Sequence, residues 1–184
     1  MTTSIHSPRG FLTTARRLAR DDKGLAAIEF AFISMAMGAF ALNTADLASY
    51  SIARMQVENA AQMGVQAAWQ GCDLNHIPAT TKCANVTTTI TAAVQRTSLG
   101  TAVTLASGSP SEGYYCVNLD GSLQYVADTS NRPADCTAAG VPVNTPVDYL
   151  RVQTTYTFTP LFPSVSVAAI LPATITRTAW MRMG

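Results

Sequence analysis

Leu25 to Leu42 reads LAAIEFAFISMAMGAFAL, eighteen residues in which Glu29 is the only charge. At about 1.5 Å per residue, a helix of that length runs roughly 27 Å, close to the hydrocarbon thickness of a bilayer. Beyond Leu42 the pattern turns amphipathic. Leu47, Tyr50, Val57, Ala61, Gly64 and Ala68 fall on one face at helical spacing. Asp46, Glu58, Asn59 and Gln62 read as polar breaks on the other side, and Arg54 interrupts the stripe. Residues 39–70 hold no proline and one glycine, so the pattern predicts a single helix from about Gly24 to about Gln70, capped by Gly71. Its part over residues 25–45 suits a membrane span. Its alanine-rich part suits close packing against a sheet in a domain of residues 46–184.

In that domain Val86, Ile90, Ala93, Val94 and Leu99 give a shorter helical pattern closed by Gly100. Residues 101–105 and 113–118 read as strands around a Ser-Gly-Ser-Pro turn. The clearest strand is Asp148 to Phe158. There Leu150, Val152, Tyr156 and Phe158 alternate with Arg151, Gln153, Thr155 and Thr157, and Pro160 and Pro163 follow. Ala173 to Met183 forms a last strand carrying Arg177, Trp180 and Arg182. The expected fold class is α+β: a long N-terminal helix, a second short helix and a four-stranded antiparallel sheet.

Composition sharpens the anchor reading. Apolar residues make up 48% of the chain and charged residues 12%, about half the usual share of charge. The net charge of +1 gives the whole chain no bias toward nucleic acid. Arg9, Arg16, Arg17, Arg20 and Lys23 all precede the apolar run, so the positive-inside rule keeps residues 1–24 cytoplasmic and exports the rest. Cys72, Cys83, Cys116 and Cys136 all follow the run, which suits disulfides in an oxidising compartment. Four cysteines allow three connectivities, and proximity favours Cys72 with Cys83 and Cys116 with Cys136. Buried free thiols are the alternative. A competing reading is a signal peptide cut after Ala41, but Glu29 would then sit inside its apolar core and the helix pattern runs on past the cut.

The chemistry-bearing residues form no catalytic set. His6 precedes the anchor, and His76 lies between Cys72 and Cys83 at a spacing irregular for zinc. Gly108-Ser-Pro and Asp120-Gly121 are turn signals, not phosphate loops. No enzyme activity, metal or cofactor is expected.

A carboxylate such as Glu29 is costly within a bilayer; five residues from Gly24 it is either a shallow charge that snorkels toward the cytoplasmic interface or an acid with a partner at the same depth. Cleavage after Gly24 would supply one, because Leu25 would then carry a free α-ammonium able to pair with Glu29 of a neighbouring subunit in low dielectric. Lys23-Gly24, four residues and then Glu29-Phe30 opening an apolar helix resemble the processing site of type IV pilin-like proteins. The stretch DDKGLAAIEFAFI is similar to the TadE-like minor pseudopilins of tight-adherence (Flp) pilus systems, as is the C-terminal run with Tyr156, Phe158, Pro160 and Leu161. The resemblance covers about residues 16–68 and 152–183; the middle, Cys72 to Val147, has no counterpart in it.

That resemblance implies a prepilin peptidase cutting between Gly24 and Leu25, with Glu29 as the intramembrane assembly contact. It implies a pilin-like domain in the periplasm, anchored to a bacterial inner membrane. It also implies partners: other pilins and pseudopilins, the inner-membrane assembly platform and the lipid bilayer, but no nucleic acid. The rival expectation is an unprocessed, membrane-tethered periplasmic binding module.

Overall fold

The computed structural model describes residues 22–72 and 77–184. Residues 1–21, with His6, and the stretch 73–76, with His76, lie outside the described residues. The chain divides into two units, residues 1–45 and Asp46–Gly184.

Helix α1 (Asp22–Gly71) is the predicted long helix, beginning two residues before Gly24. In the first unit it carries the apolar run. Residues 24–42 are all exposed, and the stretch is long and apolar enough to cross a membrane. Asn43 and Thr44 close the run by bonding back to the carbonyls of Ala39 and Phe40 at 2.8 and 2.9 Å, which satisfies their own polar groups.

In the second unit α1 buries Asp46, Ala53, Val57, Ala60, Ala61, Gly64, Val65 and Ala68 along one stripe. Two sequence expectations are corrected here. Asp46, read as a polar break on the outer side, is fully buried, and Leu47, read as part of the apolar stripe, is exposed. The stripe runs 46, 50, 53, 57, so Ala53 continues it and Arg54 lies off it, exposed.

The stripe packs on a five-stranded antiparallel sheet, one strand more than expected: β1 (Thr104–Leu105), β2 (Ser111–Val117), β3 (Leu123–Ala127), β4 (Val147–Thr157) and β5 (Thr174–Arg182). The central strand is β4. It pairs with β5 along nearly its whole length, while β1 and β2 share its other edge and β3 lies outside β2. Where β1 gives way to β2, the β4 backbone stays satisfied. Gln153 N–H donates to Ser109 Oγ at 2.8 Å, and its carbonyl accepts from Ala106 N–H at 2.9 Å.

Alternation along β4 buries Asp148, Leu150, Val152 and Thr154 against α1 and leaves odd-numbered residues on the outer face. Helix and sheet meet closely at two points. Thr154 Oγ1 donates to the Val57 carbonyl at 3.0 Å, and a Cβ on Gly64 would come within 3.0 Å of Val152 and 3.1 Å of Val94. The second helical pattern is shorter than expected: α2 (Ala79–Lys82) and α3 (Val86–Val94) are followed by a 3₁₀ turn at Gly100–Ala102. Ile90 and Val94 of α3 join the main core.

The disulfides are Cys72–Cys83, which staples the end of α1 to the residue after α2, and Cys116–Cys136. The second organises a smaller core with Val141, Val126 and Ala139. Around it, Asp120, Asp128 and Asp135 each accept from the backbone N–H and hydroxyl of the residue two positions on, Ser122, Ser130 and Thr137. These turns order a region with little sheet of its own.

Candidate functional site

The expected processing and assembly residues lie together in the first turns of α1. Gly24, Leu25 and Glu29 all fall within the helix, and Glu29 is exposed with no hydrogen bond or ion pair among the described residues. One turn of helix separates Leu25 from Glu29, so the backbone amine exposed by a cut after Gly24 would lie within a turn of the carboxylate's own level. The Gly24–Leu25 peptide is itself helical, since α1 starts at Asp22. A protease that takes extended backbone must therefore unwind the first turn. Gly24 eases that step because a glycine holds helix less firmly.

The cysteines lie elsewhere, in the second unit, and serve the fold. Among the described residues, no three or more His, Cys, Asp or Glu side chains cluster as a metal site would require.

Three groupings escaped the sequence reading. The first is a clamp at the start of the second unit. Asp46 accepts the N–H groups of Leu161 at 2.8 Å and Phe162 at 3.2 Å, and Ser166 also bonds to it. Burial opposes its ionisation, but the Ser166 hydroxyl and the two backbone N–H groups outweigh that and hold the carboxyl below its ordinary range. The usable signal was register: Asp46 lies four residues before Tyr50, on the buried side of the heptad-like stripe.

The second is a carboxyl pair. Glu112 accepts from Ala79 N–H, Thr80 N–H and Thr80 Oγ1 at 2.7–2.8 Å, tying the start of α2 to β2. Asp148, diagonal to it across the β2–β4 ladder, is 4% exposed, and no hydrogen-bond donor meets either of its oxygens. Burial first, and then the Glu112 charge, push Asp148 up to about 7; Arg132 opposes this without cancelling it.

The third is an aromatic cluster on the outer face. Tyr115 meets Tyr125, Tyr149 and Trp180 edge-to-face at centroid distances of 5.4, 6.1 and 5.1 Å, and the Arg151 guanidinium sits 5.7 Å from the Trp180 ring. Four strands contribute these residues, so no local pattern foretold the grouping.

No family model, no curated protein and no solved structure matches the chain.

Proposed function

We propose that this chain is a structural assembly subunit of the inner membrane, a TadE-like minor pseudopilin of a tight-adherence pilus system. The reading is carried by one observation: residues 24–42 form a predominantly apolar helix exposed on every side, whose one charge, Glu29, is exposed and has no ion pair among the described residues. Such a surface needs lipid and neighbouring helices to cover it, and a lone acid within it needs a cation at its own depth. A prepilin peptidase cutting after Gly24 provides that cation as the new Leu25 amine. The N-terminus then faces the cytoplasm and the second unit faces the periplasm. The work is packing, with other pilins and the assembly platform as partners, and no catalysis is assigned to the chain.

Mass spectrometry of the membrane-embedded chain tests the cut: a mature N-terminus at Leu25 is expected. The Glu29→Ala chain should be processed at the same bond yet be depleted several-fold from complexes captured with partner pilins. Normal recovery of the variant would sink the pairing argument. The aromatic cluster around Tyr115 favours a second reading, a tethered periplasmic binding module, and that reading requires the leader to remain attached.

A further inference from the structure

We propose that the loop between β4 and β5 is a second membrane contact, seated in the lipid headgroup and upper acyl region. This rests on the reading that residues 25–45 span the bilayer.

From Thr159 through Thr176 the chain carries no charged side chain. Within this stretch Leu161, Phe162, Val165, Val167 and Ile170 are exposed, Ile170 by 82%. Five large apolar side chains on one loop form a patch of the kind that marks a protein or membrane contact. The loop also deals with its own backbone. Val165 and Ser166 N–H groups donate to the Phe162 carbonyl, Ala169 to Ser166, and Leu171 to Ala168. Ser166 Oγ accepts from Ala168 N–H. A loop that pairs part of its backbone internally enters the polar-to-apolar interface of a bilayer at lower cost than one whose polar groups are all open.

Position selects lipid as the occupant. The loop is held at its start by Asp46, which takes the Leu161 and Phe162 N–H groups. Asp46 directly follows Ala45, the last residue of the span, so the clamp fixes the loop to the point where the chain leaves the bilayer. Leu, Phe, Val and Ile with no adjacent charge fit the interface of a bilayer, as an interfacial apolar face does. The Asp-rich turns of residues 120–137 precede β4, and the apolar loop follows it, so the two lie at opposite ends of that strand.

The test uses the full chain in vesicles of phosphatidylethanolamine and phosphatidylglycerol, at a protein content low enough to keep copies apart. The four native cysteines stay paired. An environment-sensitive fluorophore is placed on Ile170→Cys, on Phe40→Cys within the span and on Val143→Cys, which is 94% exposed on the loop before β4. Lipids brominated near the headgroup end of the acyl chains should quench the 170 probe several-fold more than the 143 probe. Lipids brominated deep in the chains should quench the 40 probe. A 170 probe quenched no more than the 143 probe, with the 40 probe quenched, overturns the loop contact and leaves the anchor standing. A 170 probe that is blue-shifted but not quenched means a protein neighbour covers the loop, and this also overturns the proposal. A 40 probe that no lipid quenches removes the membrane reading on which the proposal depends.

Discussion

Asp148 brings a carboxyl group into the helix-facing side of the sheet where no donor meets it, and Glu112 beside it is already engaged by three donors. The proton on Asp148 is the simplest way to hold the two acids together. Its carboxyl titrates at about 7 in the folded chain and near about 3.9 when unfolded. Between those values the folded state holds a proton that the unfolded state has released, so stability falls as pH rises through that window and levels off above it. We therefore expect the melting temperature of the full chain in detergent to drop between pH 5 and pH 8. Asp148→Asn should flatten that drop, raising the melting temperature at pH 8 by several degrees while changing it little at pH 5. An equally steep drop in the variant would assign the pH dependence to other groups. Asp46 runs the opposite way: its lowered carboxyl contributes stability above its unfolded value, and this is lost as pH falls.

At the scale of elements, β4 and β5 were legible because one face is buried and the other is not, which imprints a period of two on Leu150, Val152 and Phe158. Strand β3 was not legible, and neither was its register. Leu123–Ala127 is five residues long and at most half-buried on either face, and a bulge at Tyr114/Tyr115 shifts its pairing with β2. That pairing depends on Gly113. A Cβ there would lie 2.8 Å from the Tyr125 ring and 2.9 Å from the Ala127 carbonyl. The carbonyl belongs to the ladder and cannot give way as a side chain can. Gly113→Ala should therefore destabilise the domain by about 1–3 kcal/mol, the usual range for overpacking. Tyr125 should also be displaced from Tyr115, read as a changed near-ultraviolet circular dichroism spectrum. A variant with native stability and spectrum would show that β3 is free to shift.

Across the whole molecule, two disulfides hold together a domain whose long loops contribute little core. They close loops of 11 and 20 residues, and chain entropy alone makes each worth about 3 kcal/mol. Reduction under native conditions should lower the melting temperature of the full chain by more than ten degrees if both bonds open, at roughly 2 to 4 degrees per kcal/mol for a chain of this size. A melting temperature unmoved after complete reduction would mean that the cores hold the fold without the staples.

The sequence by itself determined what is written in local periodicity. That includes the apolar run with its single acid, the long helix that carries it, the two strands with one buried face and a cysteine set placed after the apolar run. These features are legible because each repeats over a few neighbouring residues, and burial on one face imposes the repeat. The tertiary structure alone decided which polar residues went inside. Asp46 is buried because Leu161 and Phe162, 115 and 116 residues away, bring their N–H groups to it. Asp148 is raised because the sheet buries it against the helix side and β2 places the Glu112 charge beside it. Tyr115, Tyr125, Tyr149 and Trp180 became one cluster because four strands lie in a particular order. A buried charge or a cross-strand ring pair depends on partners far away in the chain, and no window of neighbouring residues contains them.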